Sequence, residues 1–336
     1  MPFKVSMLGE ENKLEFLCGE NETILEAAER SGYSLPYSCR KGVCSTCEGT
    51  LVSGSVIEKQ EDVAAGLGKA VRLCVTRPCS DIEVKPQYIR NLSVITPKRM
   101  VATIHSIEQP ADNVSILGLR LPIGKRCKFT AGQYLMVYLD DQTSRNYSFA
   151  NAPQKSDMIE LHIRHVPGGR FSDAILSKLE KGSELDIEVP YGQFSIKEDS
   201  DAPVILMATG TGFAPVKSMI EDQIAKGSKR SVEFYWGQRT RNDLYLFDLI
   251  EKWAQRQPWF HFKPVLSRPD TDWKGRSGWV QDAILADHSD LSGREVYACG
   301  NPDMISSARE ILVKEAGLSL GNFFCDPFVS AVEEGV

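Results

Sequence analysis

The chain has 336 residues, of which 42% are hydrophobic and 25% charged, so its composition is that of an ordinary globular protein with room for two or three domains. Its formal net charge of −6 argues against nucleic-acid binding, and no apolar run approaches the roughly 18 residues of a membrane span. The first residues, MPFKVSMLGEENK, lack the basic and apolar regions of a signal peptide. We therefore expect a cytoplasmic protein with neither a nucleic acid nor a membrane as partner.

The first 95 residues are predicted to form a small α+β unit. Thr23–Glu26 is a capping box that opens a helix ending near Gly32, and the stretch containing Pro86 and Pro97 is predicted to be a linker. The predicted strands are Lys4–Leu8, Lys13–Cys18, Gly49–Val56 and Ile82–Val84.

Residues 97–200 are predicted to form an antiparallel barrel, because short β-rich runs alternate with turn signals. One short helix is expected from near Ser172 to near Gly182. The predicted strands are Val101–Ile107, Val114–Leu119, Tyr134–Tyr138, Ile159–Val166 and Leu185–Val189.

Residues 201–336 alternate apolar runs with helical patterns, which indicates a parallel sheet with helices on both faces. The predicted helices include Ala214–Lys226 and Pro302–Glu315. The predicted strands are Val204–Ala208, Val232–Trp236, Phe262–Leu266, Val296–Cys299 and Phe323–Cys325.

The strongest motif is formed by four cysteines. Cys39, Cys44 and Cys47 follow the spacing C-x4-C-x2-C, and Cys74 comes after 26 intervening residues. Plant-type [2Fe–2S] clusters are held by four thiolates with this spacing. A zinc site would pair two C-x2–4-C motifs or add histidines, a Rieske centre would need two histidines, and unrelated core cysteines are a further alternative. The complete pattern predicts a [2Fe–2S] cluster, with Cys79 as a spare structural thiol.

Two glycine-containing loops follow predicted strands of the last segment. Gly210–Gly212 lies between a strand and a helix, where glycines let the backbone approach a pyrophosphate and the helix N-terminus supplies N–H donors. Cys299–Pro302 ends another strand, so both loops should meet at the carboxyl edge of the sheet. A tight turn and a buried strand cysteine are the plainer alternatives.

Two further motifs lie in the middle segment. Arg145, Tyr147 and Ser148 provide a phosphate-binding cation, an aromatic ring and a hydrogen-bond donor on one strand. Gly168–Ser172 places a turn, a cation and an N-cap serine at a predicted helix start, which favours an anion site. Taken alone, each is also typical of a surface strand or a capped helix.

Taken in order, these motifs resemble those of the ferredoxin–NADP reductase superfamily. RNYS is similar to its flavin motif, GGRFS to its flavin-diphosphate segment, GTGFAP to its nucleotide-pyrophosphate loop and CGNP to its nicotinamide-end loop. A ferredoxin domain ahead of them resembles the reductases of bacterial aromatic-ring dioxygenases, particularly the benzoate and anthranilate type. The resemblance implies a β-grasp ferredoxin domain at 1–95, a β-barrel FAD domain at 97–200 and a doubly wound α/β NAD domain at 201–336.

The resemblance also implies roles for individual residues. Arg145 would bind flavin phosphate, Tyr147 would pack on the isoalloxazine, and Ser148 would hydrogen-bond near flavin N5. Ser148, Tyr147 and Cys299 are the implied catalytic residues. The other implied cofactor-binding residues are His162 and Arg164 beside the flavin, Gly169, Phe171 and Ser172 at its diphosphate, Gly210 and Gly212 in the nucleotide-pyrophosphate loop, Thr211 and Cys299 near the nicotinamide, Gly300 and Pro302 in the nicotinamide-end loop, Arg239 near the adenosine, and Phe328 in the C-terminal tail.

The expected activity is electron transfer from NADH through FAD to the cluster, because a flavin can hold two, one or no electrons. The resemblance implies a Rieske-type terminal oxygenase as acceptor. A reductase for a soluble diiron monooxygenase, a reductase for a cytochrome and a non-catalytic redox sensor remain as alternatives. Arg40 and Lys41 lie in the cluster loop, and we expect docking through the loop rim and apolar contacts, with modest salt dependence.

Overall fold

The computed structural model describes residues 2–9, 13–58, 61–64, 68–86, 97–139 and 143–329. The chain divides into two compact units, Met1–Thr96 and Pro97–Val336. The predicted linker between Pro86 and Pro97 lies outside the described residues except at its two ends.

The described chain contains strands and helices with the following bounds. The strands are β1 Phe3–Leu8, β2 Lys13–Cys18, β3 Glu48–Ser53, β4 Ser55–Glu58, β5 Glu61–Ala64, β6 Lys69–Arg72, β7 Thr76–Pro78, β8 Ile82–Pro86, β9 Lys98–Ala111, β10 Val114–Arg120, β11 Tyr134–Tyr138, β12 Ser144–Ser148, β13 Met158–Arg164, β14 Glu184–Tyr191, β15 Val204–Thr209, β16 Val232–Gln238, β17 Phe260–Leu266, β18 Arg276–Ser277, β19 Glu295–Gly300 and β20 Phe323–Pro327. The α-helices are α1 Ile24–Arg30, α2 Phe213–Ala225, α3 Phe247–Arg256, α4 Val280–Asp287 and α5 Pro302–Ala316.

The first unit has a five-stranded mixed sheet in the order β2-β1-β8-β3-β6, with α1 packed beside it, which confirms the predicted α+β fold. The predicted hairpin and capping box are both present, with the Glu26 amide donating to Thr23 Oγ1 at 3.3 Å. The predicted single strand Gly49–Val56 is wrong. Gly54 has a φ of +87° and breaks it, so that β4 joins a separate three-stranded sheet with β5 and β7.

The barrel of the second unit is a six-stranded antiparallel sheet in the order β12-β11-β14-β9-β10-β13. Its two edge strands meet just after β12, where the Ala150 amide donates to the Glu160 carbonyl at 2.8 Å. The predicted helix starting at Ser172 begins earlier and is not an α-helix: a π-helical turn spans Arg170–Ile175 and a 3-10 turn spans Leu176–Lys178.

The rest of the second unit is a six-stranded parallel sheet in the order β18-β17-β16-β15-β19-β20, which confirms the predicted α/β fold. The strand order reverses between β15 and β19. Ligands of open α/β sheets bind at such a switch point, outside the carboxyl ends of the strands. The longest described helix, α5, has 15 residues, and no described helix has the length and apolar character needed to cross a membrane.

Candidate redox centre and nucleotide-binding sites

The four motif cysteines lie together in two pairs. Cys47 and Cys74 have their sulfurs 3.2 Å apart, and Cys44 is hydrogen-bonded to Cys39. All four are at most 7% exposed and none forms a disulfide. Among the described residues, no three metal-ligating side chains converge on one point as a single ion would require. A two-by-two arrangement suits two irons, each held by two thiolates, better than one tetrahedral zinc ion.

Hydrogen-bond donors surround the Cys39 sulfur. The Cys44 thiol and the backbone N–H groups of Lys41, Val43 and Cys44 donate to it, which lowers the pKa of Cys39 to about 5 despite its burial. The bond from Cys47 likewise lowers the pKa of Cys74. Metal ligation requires thiolates, so the three backbone donors favour the ligating form of Cys39.

The backbone of the cluster loop provides these donors by bending tightly. Arg40, Gly42 and Ser45 have φ values of 54°, 63° and 57°, in the left-handed region. Left-handed residues interspersed in a loop turn successive N–H groups into a concave surface that binds anions. At the two non-glycine positions, Arg40 and Ser45, this conformation costs about 1–2 kcal/mol each.

The side chain of Arg40 does not add an uncompensated charge to the loop rim. Its guanidinium pairs with Glu29 and lies over the Tyr37 ring, 4.2 Å from the ring centroid. By contrast, the side chain of Val43 is 39% exposed in the middle of the loop. The exposed rim is therefore more apolar than the sequence suggested.

Three other cysteines lie apart from the four ligands. Cys79 is exposed, whereas Cys18 and Cys127 are buried and burial raises the pKa of each to about 12. Such neutral, enclosed thiols at Cys18 and Cys127 fit a packing role.

The RNYS motif occupies β12, at the edge of the barrel. Ser148 is buried at the end of the strand and pairs in register with Tyr134. The Tyr147 ring lies 5.2 Å from the Phe171 ring, and burial raises its pKa. Arg145 is half-buried and donates to the Ser144 carbonyl at 2.8 Å. Their contacts with a flavin stay predictions.

His162 and Arg164, on β13, differ in their surroundings. Both nitrogens of the buried His162 ring have protein partners, with Nδ1 2.9 Å from the Tyr245 hydroxyl and Nε2 3.0 Å from Glu160 Oε1, and burial lowers its pKa. Arg164 is exposed, and within the described chain it has no ion-pair or hydrogen-bond partner. Its Nη1 lies 3.9 Å from where a Cβ on Gly210 would be, so a free cation faces the nucleotide loop.

The GGRFS segment forms the π-helical turn, and its N-cap is Gly169 rather than the predicted Ser172. A Cβ at Gly169 would lie 2.5 Å from Ser172 Oγ and 2.7 Å from the Val166 carbonyl, so only glycine allows this turn. Ser172 Oγ instead accepts from the Val166 amide at 3.1 Å. The Phe171 side chain is buried in the barrel core, so only its backbone is available to a diphosphate.

The two nucleotide loops touch at the switch point between β15 and β19, as predicted. A Cβ on Gly212 would lie 2.4 Å from the Cys299 carbonyl oxygen, and one on Gly300 would lie 2.4 Å from Thr209 Oγ1. The Asn301 amide also donates to Thr209 Oγ1 at 3.1 Å. Because both contacts exclude any side chain, glycine at these two positions is required for the crevice to form.

The two helices that start at these loops have different N-termini. At α5, Asn301 Oδ1 accepts from the amides of Asp303 and Met304, and Pro302 occupies the first turn. At α2 the N-cap is Gly212, which provides no side-chain cap. The Phe213 amide at the start of α2 already donates to the carbonyls of Gly210 and Thr211, so the backbone available to an anionic ligand is that of the preceding 3-10 turn, Gly210–Gly212. Thr211, in the loop before α2, is 8% exposed.

Three other predicted nucleotide residues occupy different environments. Cys299 is fully buried, and burial raises its pKa well above its usual range, so its contact with a nicotinamide stays a prediction. Arg239 is exposed after β16 and has no side-chain partner in the described ranges. The Phe328 amide donates to the Gly300 carbonyl at 2.7 Å, which places the C-terminal segment beside the nicotinamide-end loop.

Sequence reasoning missed Trp279, which precedes α4 and is 64% exposed. Its neighbour Val280 packs over β16, because a Cβ at Gly237 would lie 2.2 Å from Val280 Cγ2. The backbone that carries the exposed indole thus passes near the carboxyl end of β16. No short motif marks this position, and only the tertiary structure reveals it.

Three family models match the chain in succession. A 2Fe-2S iron-sulfur cluster binding domain matches residues 9–79, an oxidoreductase FAD-binding domain matches 101–196, and an oxidoreductase NAD-binding domain matches 206–310. These matches confirm the predicted fold class and the predicted cofactors, FAD, NAD and a [2Fe–2S] cluster.

Curated relatives match almost the full chain. A reductase component of terephthalate 1,2-dioxygenase from Comamonas sp. is 39% identical, covering 95% of this chain and 96% of that protein. A CDP-6-deoxy-L-threo-D-glycero-4-hexulose-3-dehydrase reductase from Yersinia pseudotuberculosis is 40% identical over 94% and 95%. More distant relatives include an anthranilate 1,2-dioxygenase electron transfer component from Acinetobacter baylyi at 30% and a phenol 2-monooxygenase reductase component from Pseudomonas sp. at 31%.

Among solved structures, the Amycolatopsis cytochrome P450 reductase GcoB is similar, with a TM-score of 0.77, 29% identity and coverage of 97% of this chain and 98% of that one. The protein is thus an oxidoreductase that carries electrons between a nicotinamide nucleotide, FAD and a [2Fe–2S] cluster. More particularly, it belongs to the ferredoxin–NADP reductase superfamily, in the group whose members carry an N-terminal [2Fe–2S] domain and include reductase components of aromatic-ring dioxygenases.

The cluster site can be tested by replacing single cysteines. We expect Cys74→Ala to lose most iron and acid-labile sulfide, because one iron would keep a single protein thiolate. Cys79→Ala is the matched control, five residues away on an exposed position, and should keep both. Iron and sulfide analysis with the visible spectrum measures the outcome, and equal loss in both variants would disprove the assignment.

Proposed function

We propose that this reductase takes a hydride from NADH and delivers single electrons, through FAD and the [2Fe–2S] cluster, to a Rieske-type aromatic-ring oxygenase. The observation that carries the proposal is the presence, in one chain, of paired cluster thiols and a nucleotide crevice at a switch point. A bound flavin accepts two electrons together and releases them singly, which these two sites require. We also propose domains at 1–95, 97–200 and 201–336, and a cytoplasmic location, which the nine free cysteines support.

The chain's own residues would then act mainly by binding and orientation. The backbone of the turn Gly210–Gly212, which has no side-chain cap, and the free guanidinium of Arg164 would hold phosphate groups at the crevice. Arg145 would bind the flavin phosphate, and Tyr147 would cover one face of the isoalloxazine. Ser148 would hold a hydrogen bond near flavin N5, where its burial excludes competing water.

Ser148→Ala tests the role of this hydroxyl. We expect the rate constant for flavin reduction by NADH to fall by roughly fivefold, since one hydrogen bond is worth about 1 kcal/mol, while the FAD content stays unchanged. Anaerobic stopped-flow absorbance measures it. Ser144→Ala, at the other end of the same strand, is the control. An unchanged rate in Ser148→Ala would rule out the role.

We propose that Trp279 stacks on the adenine of NADH. Its indole is exposed, the next residue, Val280, covers Gly237 at the carboxyl end of β16, and purine rings stack well on aromatic faces. NADH rather than NADPH is proposed as the donor because the chain is similar to the reductase components of aromatic-ring dioxygenases.

Trp279→Ala should raise the KM for NADH by about tenfold with little change in kcat, because base stacking is worth roughly 1–3 kcal/mol and does not reach the reacting atoms. Steady-state reduction of a one-electron dye measures both constants. Leu320→Ala removes a side chain of similar exposure, 60%, from the same lobe and should change neither constant. A fall in kcat alone for Trp279→Ala would contradict the assignment.

The acceptor is proposed from the relatives and from the cluster loop. Dioxygenase reductase components match this chain over nearly its whole length, and an exposed Val43 beside a neutralised Arg40 favours apolar docking. The dehydrase reductase from Yersinia pseudotuberculosis, which is 40% identical to this chain, supports a deoxysugar dehydrase as a second candidate acceptor. The chain is also similar to a phenol monooxygenase reductase and a cytochrome P450 reductase. A diiron enzyme and a cytochrome are therefore the alternative acceptors to test.

Reconstitution with one purified acceptor of each type separates these candidates. We expect the Rieske oxygenase to be reduced fastest, with little change at high salt. Val43→Ser should raise the KM for the acceptor by about three- to tenfold, while Val52→Ser, also exposed but on β3, should not. A steep loss of rate with salt, or faster transfer to another acceptor, would contradict the proposal.

A further inference from the structure

Helix α2, which begins at the nucleotide loop, buries a lysine one turn from its start. Lys217 is 3% exposed, and its ammonium contacts the Ala150 carbonyl at 3.0 Å, Glu160 Oε1 at 2.9 Å and Glu221 Oε1 at 2.7 Å. An ammonium group has three hydrogens, so three acceptors use all of its donors. A lysine this enclosed is stable only with such partners.

The partners of Lys217 connect two sites on different elements. Ala150 lies two residues after Ser148, and Glu160 is on β13. These two residues also close the barrel, through the bond from the Ala150 amide to the Glu160 carbonyl. Lys217 therefore joins the barrel edge that carries Ser148 directly to the helix that starts at Gly212.

Further hydrogen bonds join α2 to the residues that follow β12. Ser218 Oγ donates to the Asn151 carbonyl at 2.7 Å, and the Ala152 amide donates to Glu221 Oε2 at 3.2 Å. Consecutive residues after β12 are thus each held by the first turns of α2. An apolar contact tolerates sliding, whereas a buried network whose members are all hydrogen-bonded is satisfied in one arrangement only.

Building on the proposed function, we propose that Lys217 is a positioning residue for hydride transfer. It sets the separation between the nucleotide loop Gly210–Gly212 and the strand end at Ser148, without itself contacting either cofactor. Hydride transfer depends steeply on this separation, and a displacement of about 1 Å can cost on the order of a hundredfold in rate.

Lys217→Met tests the inference, because it keeps the length of the side chain but removes the three donors. We expect flavin reduction by NADH to slow by about ten- to a hundredfold at saturating NADH, with a smaller change in the dissociation constant for NAD⁺. The visible circular dichroism of the oxidised flavin should also respond differently to NAD⁺, since it reports the mutual geometry of the two ring systems without turnover.

Arg230→Met is the matched control. Arg230 is a similarly buried cation, paired with Glu295 at 2.7 Å, but it lies at the amino edge of the sheet. We expect Arg230→Met to lower the melting temperature as Lys217→Met does. The dichroism and the rate of flavin reduction of Arg230→Met should stay at wild-type values. If Lys217→Met does not fold, Glu221→Gln can replace it, because it removes the negative charge from one partner of Lys217. We expect this variant to shift the rate of flavin reduction and the circular dichroism in the same direction, by less.

Two failures can be told apart in this experiment. Absence of flavin reduction by NADH in the wild type would overturn the proposed function. Normal reduction in the wild type, with a rate and dichroism in Lys217→Met or Glu221→Gln no different from Arg230→Met, would overturn only the positioning role and leave Lys217 as a stabilising residue.

Discussion

The nucleotide crevice depends on one close contact, between the backbone at Gly212 and the backbone at Cys299 and Gly300. A Cβ at Gly212 would lie 2.4 Å from a carbonyl oxygen, a distance at which atoms overlap. Without that approach the loops after β15 and β19 would separate, and the strand-order reversal would provide no binding site. The turn Gly210–Gly212 and the free guanidinium of Arg164 become useful only because this contact brings them to the same edge.

The same helix transmits this constraint to the barrel. Its first turns hold the crevice loop at one end and, through Lys217 and Ser218, the residues that follow Ser148. His162 completes the junction, with one ring nitrogen on Tyr245 and the other on Glu160, whose pKa of about 2 keeps it ionised beside Lys217. The protein can therefore hold β12 and the loop Gly210–Gly212 at a fixed separation before any ligand binds. This reduces the entropy that must be lost to reach the reactive geometry.

Local chemistry explains what the sequence revealed, and tertiary contacts explain what it did not. The capping box at Thr23 acts within one helical turn, and the cysteine spacing and the strand–glycine–helix order of the two loops are fixed sequence motifs, so these features are readable from the sequence. The break at Gly54 depends on the Asp81 carbonyl, which would lie 2.3 Å from a Cβ there, and no local pattern records that approach. Lys217 is equally hidden, because a helical lysine usually faces solvent and its acceptors come from the barrel.

The cations that lack protein partners are informative about ligands through their positions. The chain has 45 acidic and 39 basic residues, so carboxylates are in excess and a surface arginine can readily find one. Arg40 and Arg230 do so, and they stabilise loops and strands. Arg164 and Arg239 have no acidic partner among the described residues. Arg164 faces the loop after β15, and Arg239 follows β16 at the carboxyl edge of the parallel sheet. Arg120 and Arg126 also lack a partner in the described chain, so it is the position of Arg164 beside Gly210, rather than its free state, that favours an anionic ligand there, and a dinucleotide pyrophosphate has that charge.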